Sequence, residues 1–146
     1  GTITSLTAPA TMPTSGVYGL AFNHNGTKLA VPSSNGTTAS IYIYSISGNT
    51  ITYEQTITLS NTNNSNRILD VKWSGNGQYL HIMTQGTGGI ITYRNVNNVY
   101  TEVTRTGIYH TGSTALANGT YSGHYTEASE TIRVLYTIEN SSENIW

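Results

Sequence analysis

The chain has 146 residues, a length that fits one domain and can bury about two-thirds of its unfolded surface. Only 36% of residues are hydrophobic and 9% charged, against a usual charged share of about 25%, and the net charge is -1. Six basic residues spread along the chain make no phosphate-tracking stripe, and no apolar run approaches the ~18 residues a membrane-spanning helix needs, so neither nucleic acid nor membrane insertion is expected.

In chain order, the first residues, Gly1 to Leu6, lack the basic region and long apolar core of a signal peptide. Thr2 to Leu6 reads instead as a lone outer strand. From Val17 the pattern becomes regular. Leu20 and Phe22 alternate with Ala21, the period of two that marks a half-buried strand. Asn25-Gly26 supplies the positive-φ positions of a tight turn, and Leu29 to Val31 returns as a second strand. Ile41 to Tyr44, a Gly48-Asn49 turn and Thr50 to Tyr53 make a second hairpin. Tyr53 to Leu59 then reads as an outer strand leading into the next unit, as Thr2 to Leu6 leads into the first.

The same grammar follows at an offset of 51 residues. Leu69, Val71 and Trp73 alternate with Asp70 and Lys72; Asn76-Gly77 turns; Tyr79 to Met83 returns. Phe22 matches Trp73, Gly26 matches Gly77 and Leu29 matches Leu80, so Phe22 and Trp73 are expected in equivalent surroundings, with Trp73 in the core. Ile90 to Tyr93, a turn over Asn95 to Asn98, and Val99 to Thr101 complete the second unit. Gly86 to Gly89 precedes a strand rather than a helix, so it reads as a connecting loop and not a phosphate cradle. The segment 105–130 departs from the repeat. Asn118-Gly119-Thr120-Tyr121 offers a hairpin turn within it, and Val134 to Ile138 resumes the strand pattern ahead of an Asn140 to Ser142 turn.

A four-stranded antiparallel unit of this length has the size of a propeller blade. The expected fold is therefore all-β, with antiparallel four-stranded propeller-type blades over roughly 16–60, 67–104 and 108–146. These make about three blades in a single domain, the last incomplete. Three blades do not close a ring, which typically takes four to eight. Three outcomes stay open: a segment of a longer protein, completion by partner chains, or a compact β-domain that is no propeller. An open blade face leaves apolar surface and a strand edge that call for a partner.

The Pro-containing lead-in Ala8 to Pro13, the run Gly19 to Val31, Ile41 to Tyr44, and Val71 to Leu80 together resemble the WD-type repeats of β-propellers. The form is divergent and similar to repeats of bacteriophage and bacterial propeller-like proteins. The resemblance covers residues 8–104. Tyr44-Ser45, Tyr93-Arg94 and Tyr136-Thr137 stand where the family's Trp-Asp pair would, and no Gly-His pair precedes the first strand. The resemblance implies architecture and a virion setting; a fold alone implies no activity.

Side chains that carry chemistry do not gather. His24 falls in a turn, and His81 falls in a strand on the side opposite Leu80. His110 and His124 are fourteen residues apart, so none shares a metal-ligand spacing and surface or turn roles are expected. Asp70 is the only aspartate and reads as a blade-rim residue beside Lys72, while Glu127 and Glu130 read as capping a turn. No Gly-x-Ser-x-Gly elbow occurs, and no cysteine supplies a nucleophile, thiolate ligand or disulfide. The absence of disulfides leans toward a bacterial or phage origin, or toward stability through assembly. Asn-x-Ser/Thr triplets such as Asn25-Gly26-Thr27 and Asn35-Gly36-Thr37 read as turn chemistry. No catalytic residue, cofactor or metal site is expected, and the chain is not expected to be an enzyme.

Eleven tyrosines are the most unusual feature. Tyr42, Tyr44, Tyr53, Tyr93, Tyr100 and Tyr136 fall in strands and are expected to pack. Tyr109, Tyr121 and Tyr125 fall in the non-repeating segment, which makes them, with Trp146 at the chain end, the candidate interface or glycan-binding residues. The expected function is a structural part of a phage virion (tail, fibre or capsid decoration) or of an extracellular assembly. It would work by self-association or with other virion or surface proteins. The alternative is an adhesin or lectin that binds host-surface glycan through loop aromatics.

Overall fold

A computed structural model describes residues 6–17, 19–35, 38–59, 68–84, 90–106, 121–128 and 131–138; for 69, 105, 106, 121–128 and 131–138 it describes the backbone. The described residues are all-β, with no helix among them. The first sheet contains β1 (Ala21–Phe22), β2 (Lys28–Ser34), β3 (Ala39–Ser47) and β4 (Thr50–Thr58). The second contains β5 (Ile68–Trp73), β6 (Tyr79–Thr84), β7 (Ile90–Val96) and β8 (Val99–Thr106). Each is an antiparallel meander in sequence order, and β9 (Tyr121–Ala128) pairs with β10 (Thr131–Ile138) as a separate hairpin. These are propeller-type blades, and the sheets do not close into a ring.

The two sheets repeat bond for bond. In the first turn Gly26 N donates to Asn23 O and Asn23 N to Lys28 O, both at 3.0 Å. In the second, Gly77 N donates to Ser74 O and Ser74 N to Tyr79 O, both at 2.9 Å. Asn25 and Asn76 each accept from the backbone two residues on, and Asn23 and Ser74 each accept from the strand that returns. Gly26 and Gly77 take φ of +72° and +70°, the left-handed conformation that the Asn-Gly signal anticipates. The last hairpin of the second sheet turns on Asn97 and Asn98, both at positive φ. Asparagine tolerates that region better than other residues with a Cβ.

Each sheet carries a bulge between its third and fourth strands, at Ile43/Tyr44 in one and Thr92/Tyr93 in the other. The extra residue is Glu54 in β4 and Val103 in β8. The bulge corrects one expectation. Thr50 to Tyr53 and Tyr53 to Leu59 are not two strands but one continuous β4, the fourth strand of the first sheet. The inserted Glu54 resets the side-chain alternation midway and makes the sequence read as two pieces. Another correction concerns 105–130. It is not irregular throughout: β8 runs to Thr106, and 121–128 forms β9 by pairing along its whole length with β10. Of the lead strand expected at Thr2 to Leu6 only Leu6 is described, and it lies in no strand; of the turn expected at Asn118 to Tyr121 only Tyr121 is described, in β9; the Gly86 to Gly89 loop and the Asn140 to Ser142 turn lie outside the described residues.

One core joins the two sheets. Across the first sheet Ala21, Ala30, Ile43 and Gln55 stand in a row; across the second, Trp73, Leu80, Tyr93 and Glu102 do. The Ala21 face of the first sheet packs against the Trp73 face of the second, with Ile41, Ile57, Val71, Ile82 and Ile91 in the same cluster. Short side chains on one side leave room for the indole on the other, and Trp73 Nε1 donates to Ala21 O at 3.2 Å. The reverse of the second sheet, with β9 alongside β5, carries Asp70, Lys72, His81 and Thr92.

Candidate functional site

The repeat makes an unequal pair of equivalent faces. Row for row, Phe22, Leu29, Tyr44 and Tyr53 of the first sheet correspond to Trp73, Leu80, Tyr93 and Glu102 of the second. Trp73 is 7% exposed, because the first sheet lies over it. Phe22 is 55% exposed, because no sheet among the described residues lies over the first one. Their backbones are equivalent and their surroundings are not, which corrects the expectation that the two positions match in burial as they do in pattern.

The N-terminal segment covers part of this face. The Tyr44 hydroxyl donates to Thr11 O at 3.0 Å, and Gly16 bridges to Ser34. Tyr44 is buried in consequence, with its ring edge-on to Tyr53. Burial first, then the neighbouring Tyr42 and Tyr53, pushes its hydroxyl above the usual tyrosine range, so it remains a donor. Beyond Thr11 the cover is thin: Leu6, Met12, Val17, Leu20 and Phe22 are all exposed apolar side chains. Within residues 1–27 no Asp, Glu, Lys or Arg occurs; the first charged residue is Lys28.

A second cluster lies between the sheets. Lys28 and Glu54 form a partly buried ion pair, and Gln55 Nε2 donates to Asn98 O at 2.6 Å across the junction. Tyr100 packs edge-on to Trp73, 6.0 Å between ring centroids. Its hydroxyl and the Asn95 Oδ1 are buried without a hydrogen-bond partner. Burial, and secondarily the Glu54 charge, pushes the Tyr100 hydroxyl far above its ordinary value. Such a cluster holds two sheets in register; it brings together no nucleophile with a base.

His24 is exposed in its turn, whereas His81 is buried, a correction to the surface role expected for it. Its Nδ1 lies 2.9 Å from Thr92 Oγ1, and its ring stacks beside Tyr79. Asp70 follows a bulge in β5, bonded to Val71 N at 2.8 Å and paired with Lys72 at 3.2 Å. Among the described residues no three metal-ligating side chains gather.

Of the candidate binding residues, Tyr121 and Tyr125 fall in β9, in register with Ile138 and Val134. Tyr109 and Trp146 lie outside the described residues. What sequence reasoning missed is the exposure of Leu20 and Phe22. The signal was present in the strand count, since a repeat needs a neighbour on each side and the first unit has one described neighbour.

No family model matches the chain, and no curated protein matches it. Among solved structures, it is similar to a crystal structure of a protein from Lactobacillus plantarum, at a TM-score of 0.58 and 15% identity. The match covers 85% of this chain and 34% of that one, so the chain spans about a third of its structural neighbour. Likeness at that identity concerns the fold alone.

Proposed function

We propose that this chain is a non-enzymatic structural part of a larger assembly, of the virion or extracellular type, in which blade-like sheets act as walls that pack face to face. The observation that carries this reading is the face around Phe22. Its counterpart around Trp73 is covered by a neighbouring sheet, so the first sheet presents to solvent the kind of surface that the fold elsewhere buries. The composition adds support. A chain rich in Ser, Thr, Asn and Gly and poor in charge suits an assembly held by backbone pairing and apolar contact more than a freely diffusing enzyme.

A glycan array on the purified chain tests the reading. A structural wall is expected to give no signal above background. Saturable binding to one class of glycan, lost on substituting Tyr109, Tyr121 or Tyr125 by Ala, would overturn it in favour of an adhesin.

A further inference from the structure

We propose that the junction between the second sheet and the β9–β10 hairpin is a proton-sensitive seam: when His81 takes up a proton, the hairpin is released while the two four-stranded sheets stay joined. This goes beyond the structural reading above and does not rest on it.

The two junctions are made of unlike material. At the first, the row Ala21, Ala30, Ile43 meets the Trp73 face and forms one apolar cluster with it. Position for position, the same row of the second sheet is Lys72, His81, Thr92. This polar row is nonetheless buried at its centre, where His81 is 5% exposed and Thr92 6%. The first sheet occupies the opposite, Trp73 face and so cannot supply that burial. β9 lies against β5 but bonds into a separate sheet with β10, so it is a cover on the second sheet rather than its edge. Among the described residues, β9 is the element left to shield His81.

A neutral ring suits this place. His81 Nδ1 lies 2.9 Å from Thr92 Oγ1, and the ring stacks beside Tyr79. Burial disfavours the charged form and holds the pKa below its ordinary 6.5. The neighbouring charges act in the same direction. Lys72 stands directly across from His81, and Arg94, in register with Tyr79, is on the same side. The carboxylate there, Asp70, is engaged by Lys72 at 3.2 Å, and β8 places Thr101 and Thr104 on that side. The sequence of β9 adds His124 and Glu127, with Tyr121 and Tyr125. A protonated His81 would be a buried cation beside another cation. Moving β9 away lets water reach it and relieves both penalties. The first junction buries no histidine among the described residues, and histidine is the side chain whose ordinary pKa falls in this range.

Hydrogen exchange of the full chain tests the seam, read peptide by peptide at about pH 7.5 and about pH 5.5 and corrected for intrinsic rates. Protection in β9 and β10 is expected to fall several-fold at the lower pH, with about tenfold the limit for one proton a unit below 6.5, while β1–β4 keep theirs. His81→Gln should abolish the fall and leave β9 and β10 equally protected at both pH values. Lys72→Gln, a change at a half-exposed side chain, removes the cation across from the ring and should reduce the fall. It reads the seam if His81→Gln does not fold. Protection of β9 and β10 that is absent at both pH values, or unchanged between them, would overturn the proposal. So would an equal loss in β1–β4, which would spread the effect over the whole fold. A full pH response in His81→Gln would also overturn it, by assigning the proton to His124 or a carboxylate.

Discussion

His81 occupies the position that Ala30 holds in the first sheet, and both are buried. A buried imidazole is tolerated here because Nδ1 meets the Thr92 hydroxyl at 2.9 Å. Lys72 stands directly across from it, already paired with Asp70. Burial holds the His81 pKa below its ordinary 6.5, so the folded state keeps the ring neutral where the unfolded state takes up a proton. The sign follows. The unfolded chain binds more protons as pH falls below about 6.5, so the contribution of this site is complete above that value and is lost progressively beneath it. Urea unfolding should show stability dropping between about pH 6.5 and 5, at no more than about 1.4 kcal/mol per pH unit from one proton. His81→Gln, which retains polar atoms and cannot titrate, should flatten that slope. An unchanged slope would mean that another group carries it.

Among the elements, the two Asn-Gly turns are the most exactly repeated pieces of the chain. A Cβ added at Gly26 or Gly77 meets nothing within 4 Å, so space is not the issue; the positive φ is. Gly26→Ala and Gly77→Ala should each cost about 1 kcal/mol in urea unfolding, with unchanged m-values, and Asn at either position should cost less. A loss several times larger would point to contacts the turn does not have. These turns were legible in the sequence because only a few residues tolerate the conformation they need. Other elements were not. The bulge at Glu54 split one strand into two apparent ones. Tyr-Ser-Gly-His-Tyr-Thr-Glu-Ala in β9, with Gly123 inside it and little β-branching, reads as a loop by composition and becomes a strand through its pairing with β10.

At the scale of the molecule, burial depends on neighbours that a local pattern cannot reveal. Phe22 and Trp73 share their sequence context, their strand position and their cross-strand leucine, and differ because one has a sheet over it. The strand count indicates that the first sheet has a described neighbour on one side; it does not indicate which residues are exposed in consequence. The same dependence should make the two sheets one cooperative unit, since they share a core cluster. Repeat arrays often lose cooperativity when the contact between neighbours is weak. Here Ile43, fully buried on the face that meets the second sheet, belongs to a single cluster with Val71, Trp73, Leu80 and Ile82. Ile43→Ala should cost about 2–5 kcal/mol, and the loss should not stay in the first sheet. Hydrogen exchange followed peptide by peptide should show faster exchange in β5–β7 as well as in β1–β4, because opening either sheet strips the Trp73 face of its cover. Protection lost in β1–β4 alone, with β5–β7 unaffected, would mean that the second sheet stands without the first. The exposed face at Phe22 would then be a surface the fold can leave bare.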